Sequence, residues 1–490
     1  MENEQHGQVS PVRWEIRDWI LLAAAALAAG CYFFAHFPYL FTDRFHLPGI
    51  GWTLTQWLLA AVTLSLAGKS GRLRGKKNPG GWFLLASGLG LGLTFSLYAD
   101  EGLRAMNLPV AFLTTVLALF SLTGANPLPP LSGAGLRLGL SQFFPACFRD
   151  SLEPFRALSL RRYQKDGEKL QGLGLGLLLS VPAGIIALSL LSSADEMFSS
   201  LLKQNVFTDS VMDGSVFIRL GFTVLGSLLL FSLLGSFRRE PFPPKSRPQA
   251  SPFFSAAAIL PVLTVLAAAY GLFVYVQFRY LFGGVETAQM AGGYAEYARK
   301  GFFQLALLAF LTLLLVFPVL HGFPQSKAVR LLSGLVTALT VVIDLSAFFR
   351  MRLYIQAFGF SVLRVVTLWG MLMVLLALGA CMLKCAWPGL RVCPALTALA
   401  LGSWLALNMC GIDRLTAKSL ISAYNRGASS ALDIRYLAHL TPDAAPELMA
   451  IQDEALRETA LEAVRNKLGP HRPAAYDWCL SWLNMEDDTP

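Results

Sequence analysis

Four charged side chains sit where the chain is otherwise most apolar. The stretch Val341–Leu375 reads VVIDLSAFFRMRLYIQAFGFSVLRVVTLWGMLMVL, with Asp344 in one apolar run, Arg364 in the next, and Arg350 and Arg352 between them. A carboxylate or guanidinium at membrane depth costs about 2.5–3.5 kcal/mol even on lenient insertion scales, so chains keep such groups where they pair or where they work. With a turn expected near Arg350–Tyr354, Asp344 falls about 8 Å and Arg364 about 13 Å below the outer surface, on consecutive antiparallel helices. The expected chemistry is an Asp344–Arg364 ion pair, which either lines a polar pocket or only fixes helix register. Arg279, Glu296 and Arg299 are expected near the same face. With Arg350 and Arg352 they would make either an outward vestibule for an anionic head group or a belt of snorkelling anchors.

Other chemistry finds less support. Catalysis on a lipid-linked or envelope substrate would need outer carboxylates such as Asp195, Glu196 and Glu296 to converge. No P-loop, H-E-x-x-H, G-x-S-x-G or kinase signature is present. The histidines are scattered, and the C-x3-C-x7-C spacing of Cys381, Cys385 and Cys393 fits no standard zinc pattern. No catalytic residue, cofactor or metal is therefore expected.

The elements that must position these residues are membrane spans. Only 14% of the 490 residues are charged, 54% are hydrophobic, and the mean hydropathy is +0.52. Soluble domains carry about 25% charged residues. A span needs about 20 mostly apolar residues, and its backbone must satisfy itself as a helix. About eleven runs qualify: 19–41, 50–67, 81–99, 108–124, 172–192, 216–237, 253–282, 302–323, 331–349, 355–383 and 390–411. The stretch 131–148 is apolar but broken by Gly133, Gly135, Arg137, Gly139 and Pro145, and reads as a helix lying in the membrane interface. Pro182 and Pro261 should kink their spans. Gly88, Gly90 and Gly92, with Gly172, Gly174 and Gly176, should let helices approach closely. The expected fold class is all-α: a polytopic helical bundle over 19–411, preceded by a cytoplasmic segment 1–18 and followed by a short helical tail, 412–490.

Charge sets the expected orientation. The net charge is +9, with the basic residues gathered in short loops rather than in a stripe interleaved with aromatics, so lipid and not nucleic acid is the expected partner. The loops on one side hold roughly twice the lysines and arginines of those on the other, which puts the N-terminus in the cytoplasm and, with eleven spans, the tail outside. Ser193–Ser215 and Gly283–Lys300 then make polar outer loops. In the tail, Leu415, Leu420, Ile421 and Tyr424 pattern a helix that Gly427 should stop. Thr441, Pro442 and Asp443 should start another that runs toward Leu468. Ala474–Met485, with Trp478 and Trp482, reads as a last helix. The tail is the expected contact for a protein partner.

Three pieces of the chain carry a likeness. They are Tyr280-Leu-Phe-Gly-Gly with Tyr294–Phe303, then Arg352–Arg364, and then Leu432–Leu437 running into Thr441–Pro446. Ala194–Phe198 also fits. With these, the chain resembles a family of bacterial multi-pass membrane proteins, domain of unknown function 4173 and its relative 4153, over roughly residues 170–470. Phe358 and Phe360 stand where that pattern has Tyr and Leu. The resemblance implies a bacterial inner-membrane location and supplies no activity, ligand or catalytic residue. The expected role is a non-enzymatic sensory, regulatory or scaffold one. A transporter using the Asp344–Arg364 pair and a membrane-embedded enzyme are the alternatives.

Overall fold

The computed structural model describes residues 16–36, 48–73, 78–155, 215–237, 255–281, 302–323, 325–358, 360–427, 432, 434–468 and 479–480. Among the described residues there is no strand, and the fold is all-α as the apolar runs require. Among the described residues, eight helices are long and apolar enough to cross a membrane. On their outer faces Val265, Leu272, Leu307, Leu314 and Leu331 are more than half exposed, a surface suited to lipid rather than water. The expected span 172–192, the glycines within it and Pro182 lie outside the described residues, as do residues 193–214 and 283–300 of the two expected outer loops and nearly all of Ala474–Met485.

The chain divides into two compact units, Met1–Pro243 with Pro470–Leu483, and Pro244–Gly469 with Asn484–Pro490. The first holds α1 (Ile16–His36), α2 (Ile50–Lys69), α3 (Pro79–Leu97), α4 (Glu101–Leu122), α5 (Gly133–Phe148) and α6 (Ser215–Ser236). Three of its helices, α3, α4 and α5, start where a short polar side chain takes an orphan amide. Asn78 accepts from Gly81 N, Asp100 from Leu103 N and Ser132 from Gly135 N. Buried polar groups tie α2, α3 and α4 together. Gln56 Nε2 lies 3.0 Å from Gly88 O, 3.1 Å from Ala111 O and 2.6 Å from Thr115 Oγ1, and Thr53 Oγ1 donates to Gly92 O at 2.6 Å. Gly88 and Gly92 thus face their neighbours at close range, as small residues do in membrane interfaces. α5 is 16 residues long and presents Leu140, Phe144 and Phe148 outward while Gly135, Gly139, Gln142 and Ala146 are buried. Ser232 of α6 secures its end, donating to Ala146 O and accepting from Asp150 N.

The second unit holds α7 (Ala256–Leu281), α8 (Phe302–Gly322), α9 (Lys327–Phe358), α10 (Val362–Ala386) and α11 (Val392–Met409). Val316, Val336, Ile343, Ala347 and Met371 are among the side chains of its core. Pro261 lies inside α7. Four further helices follow: α12 (Ile412–Asn425), α13 (Ile434–His439), α14 (Ala445–Leu448) and α15 (Glu454–Leu468). They close around a core of their own, built from Ala417, Ile421, Leu437, Leu440, Leu448 and Ile451. Gly427 ends α12 with φ +72°, a left-handed conformation that Gly adopts without a Cβ penalty, and its N–H meets Tyr424 O.

Two expected boundaries differ. The helix expected from Pro442 to Leu468 is broken after Leu448. Asp453 restarts it by accepting from Leu456 N, while Asn425 binds Ala450 O in the break and Ile451 fills the small core. The ninth span does not end at Phe349. Nothing in RMRLYIQAF stops a helix, and the arginines, leucine and glutamine there are good helix formers, so α9 continues to Phe358, just before Gly359 in the sequence. Ser361 then caps α10 through Arg364 N.

Candidate functional site

The longer α9 redistributes the charged residues. Asp344 now precedes the end of its helix by about 14 residues, roughly 21 Å, close to the middle of α9. Arg364 lies in the first turn of α10 rather than nine residues into a span. Measured from the turn between the helices, the two levels differ by roughly 18 Å. No ion pair between them is found among the described residues. Arg364 instead sits over the Tyr354 ring, its guanidinium carbon 4.5 Å from the centroid, a contact across the α9–α10 turn. Arg350 is buried and Arg352 exposed on α9, inside the helix rather than at its end. Arg279 is placed on the last turns of α7 by its backbone. Glu296 and Arg299, and with them the expected vestibule, lie outside the described residues.

Asp344 opens instead onto a cavity of 490 Å³ formed within the second unit by α8, α9, α10 and α11. The walls are apolar. Phe310 and Leu313 come from α8, Gly370, Met371 and Ala377 from α10, and Leu399 from α11. Phe310 and Leu399 are also exposed, so the mouth opens on the flank of this helix cluster between α8 and α11. Trp369 braces one wall, its Nε1 donating to Ser403 Oγ at 3.0 Å and its ring 4.7 Å from Trp404. Thr367 spends its hydroxyl hydrogen on Leu363 O at 2.7 Å. Asp344 is different: it is 2% exposed and its Oδ1 has no hydrogen-bond partner. A buried carboxylate oxygen without a donor is costly, which marks the position.

The cavity was not readable from the spacing of charges, because three of its four walls are ordinary apolar helix faces. Gly370 is the one sequence signal on those faces: an added Cβ there would meet nothing within 4 Å, so the residue leaves room rather than permitting a helix contact. Among the described residues, no group of three His, Cys, Asp or Glu side chains is placed to hold a metal ion. The arrangement can enclose an apolar body and offer it one acceptor.

A family model, Domain of unknown function (DUF4153), matches residues 85–451. The chain belongs to the DUF4153 family. The match begins well before the region over which the sequence pieces resemble the family, taking in α4, and it contains every wall of the Asp344 cavity. No curated protein and no solved structure matches the chain. With its family and its apolar helices, this DUF4153 chain is an integral membrane protein.

Proposed function

We propose that this DUF4153 protein is a non-enzymatic component of the bacterial cell membrane. In this reading it takes an apolar molecule from the bilayer into the cavity beside Asp344 and relays occupancy as a sensory or regulatory signal. The observation that carries the reading is the character of the cavity. It has the volume of a small-molecule site, it is walled by apolar side chains, and it opens on an apolar flank. Loop charge supports a cytoplasmic N-terminus and an outer tail. The tail helices, with a core of their own and an exposed Leu415 and Met449, suit contact with a protein partner.

A transporter is the second reading, favoured by one observation: the carboxylate in the cavity stands near the middle of the long apolar helix α9, and coupling and substrate sites of transporters lie near the middle of their spans. A catalytic reading would rest on Asp195, Glu196 and Glu296, which lie outside the described residues.

Gly370→Leu tests the sensory reading, because Gly370 lines the cavity and a Cβ added there meets nothing within 4 Å. In cells, Gly370→Leu at normal abundance is expected to shift the same transcripts as deletion of the gene. If deletion shifts transcripts and Gly370→Leu matches wild type, the cavity is not the input. Asp344-dependent solute uptake into proteoliposomes would replace the sensory reading with transport.

A further inference from the structure

Resting on the reading of the cavity as a binding site, we infer that its occupant is a cationic amphiphile: an apolar chain ending in a protonated amine that binds Asp344. The polar side chains in the walls divide sharply. Thr367 and Trp369 have committed their hydrogens to Leu363 O and Ser403 Oγ, so neither has a donor left to offer a ligand. Asp344 supplies an oxygen that accepts nothing, in a side chain almost wholly removed from solvent. An ionised carboxylate only accepts hydrogen bonds, so its complement must donate. An ammonium group does so with opposite charge, which a low-dielectric wall strengthens.

The remaining walls choose the rest of the molecule. Phe310, Leu313, Met371 and Leu399 present no polar partner to a second head group, and methionine adapts to chains of differing shape. A fatty acid of the same length would bring a second carboxylate against Asp344 and is disfavoured. An alcohol would donate one hydrogen without charge and should rank between. The mouth between exposed Phe310 and Leu399 lets such a chain arrive from lipid rather than from water.

The test uses the full chain in phosphatidylcholine nanodiscs, titrated with 11-bromoundecylamine, 11-bromoundecanol and 11-bromoundecanoic acid. Bromine quenches tryptophan at short range, and the wild type minus Trp369→Phe difference isolates the tryptophan in the cavity wall. Expected are half-quenching by the amine at a concentration about tenfold below that for the acid, and loss of that preference in Asp344→Asn. Gly370→Leu, which fills the cavity from the opposite helix, should abolish the Trp369 signal for all three probes. If all three quench Trp369 equally and Asp344→Asn changes nothing, the amine assignment fails while the cavity remains a site for apolar molecules. If no probe quenches Trp369 differently in Gly370→Leu and wild type, the amine assignment and the reading of the cavity both fall.

Discussion

A single carboxylate illustrates how an error of about ten residues in a helix boundary changes chemistry. With a turn near residue 350, Asp344 and Arg364 stand at similar depth and pair; with α9 running to Phe358, they are separated by roughly 18 Å along the helices. Each then faces its own environment, Arg364 the Tyr354 ring and Asp344 an apolar cavity. Groups that far apart without shared partners contribute independently. Asp344→Leu is expected to stabilise the protein by about 1–3 kcal/mol, since it removes a buried carboxylate whose Oδ1 has no donor. Arg364→Leu is expected to cost about 0.5–1 kcal/mol through the lost cation–π contact. The double variant should equal the sum to within about 0.5 kcal/mol in thermal unfolding. A coupling of several kcal/mol would restore the ion pair. What the sequence made legible was the residue that matters, because an acid in an apolar run is visible as such. Its partner was not legible, because nothing marks Phe349 as interior to the helix, an arginine is tolerated within a helix, and Gly359, which follows the true end, lies inside the expected next span.

At the scale of helices, the glycine-rich run of α3 shows which patterns do transfer from sequence to structure. An added Cβ at Gly88 would lie 2.5 Å from Thr115 Oγ1 and 3.0 Å from Thr115 N, the second a backbone atom of α4 that cannot swing away. Gly88 O accepts from Gln56 Nε2, so separation of α3 from α4 also disturbs a buried amide whose Oε1 already lacks a donor. Gly88→Ala is therefore expected to destabilise by about 1–3 kcal/mol. Gly235→Ala in α6, where nothing lies within 4 Å, is expected to be neutral or stabilising by up to about 1 kcal/mol, as alanine normally is in a helix interior. Equal melting shifts for the two variants would show that α3 and α4 are not held this closely. The contrast also explains what spacing hides. Gly88 and Gly370 look alike in sequence, yet one permits a helix contact and the other leaves a cavity, and only the placement of the facing helix distinguishes them.

For the molecule as a whole, orientation in the membrane decides from which side its tail and its cavity are reached. The proposal of an inner N-terminus and an outer tail rests on the asymmetry of lysine and arginine between alternate loops, and not on any feature of the helices. α11 offers a direct measurement, because Cys393 lies in its first turn and exposed Cys410 follows its last residue. Eighteen residues separate the sides of a membrane by about 27 Å, so the two thiols must face opposite compartments if α11 spans. In variants retaining one cysteine each, a membrane-impermeant maleimide applied to spheroplasts is expected to modify Cys410 directly and Cys393 only after lysis. The reverse pattern would place the tail inside. It would turn the cavity's depth around without altering its walls, because Asp344 lies near the middle of its helix whichever end faces the cytoplasm. Modification of both thiols from one side would mean that α11 does not cross. The cavity wall containing Leu399 would then belong to an interfacial helix, and the route from lipid to Asp344 would have to lie elsewhere in the second unit.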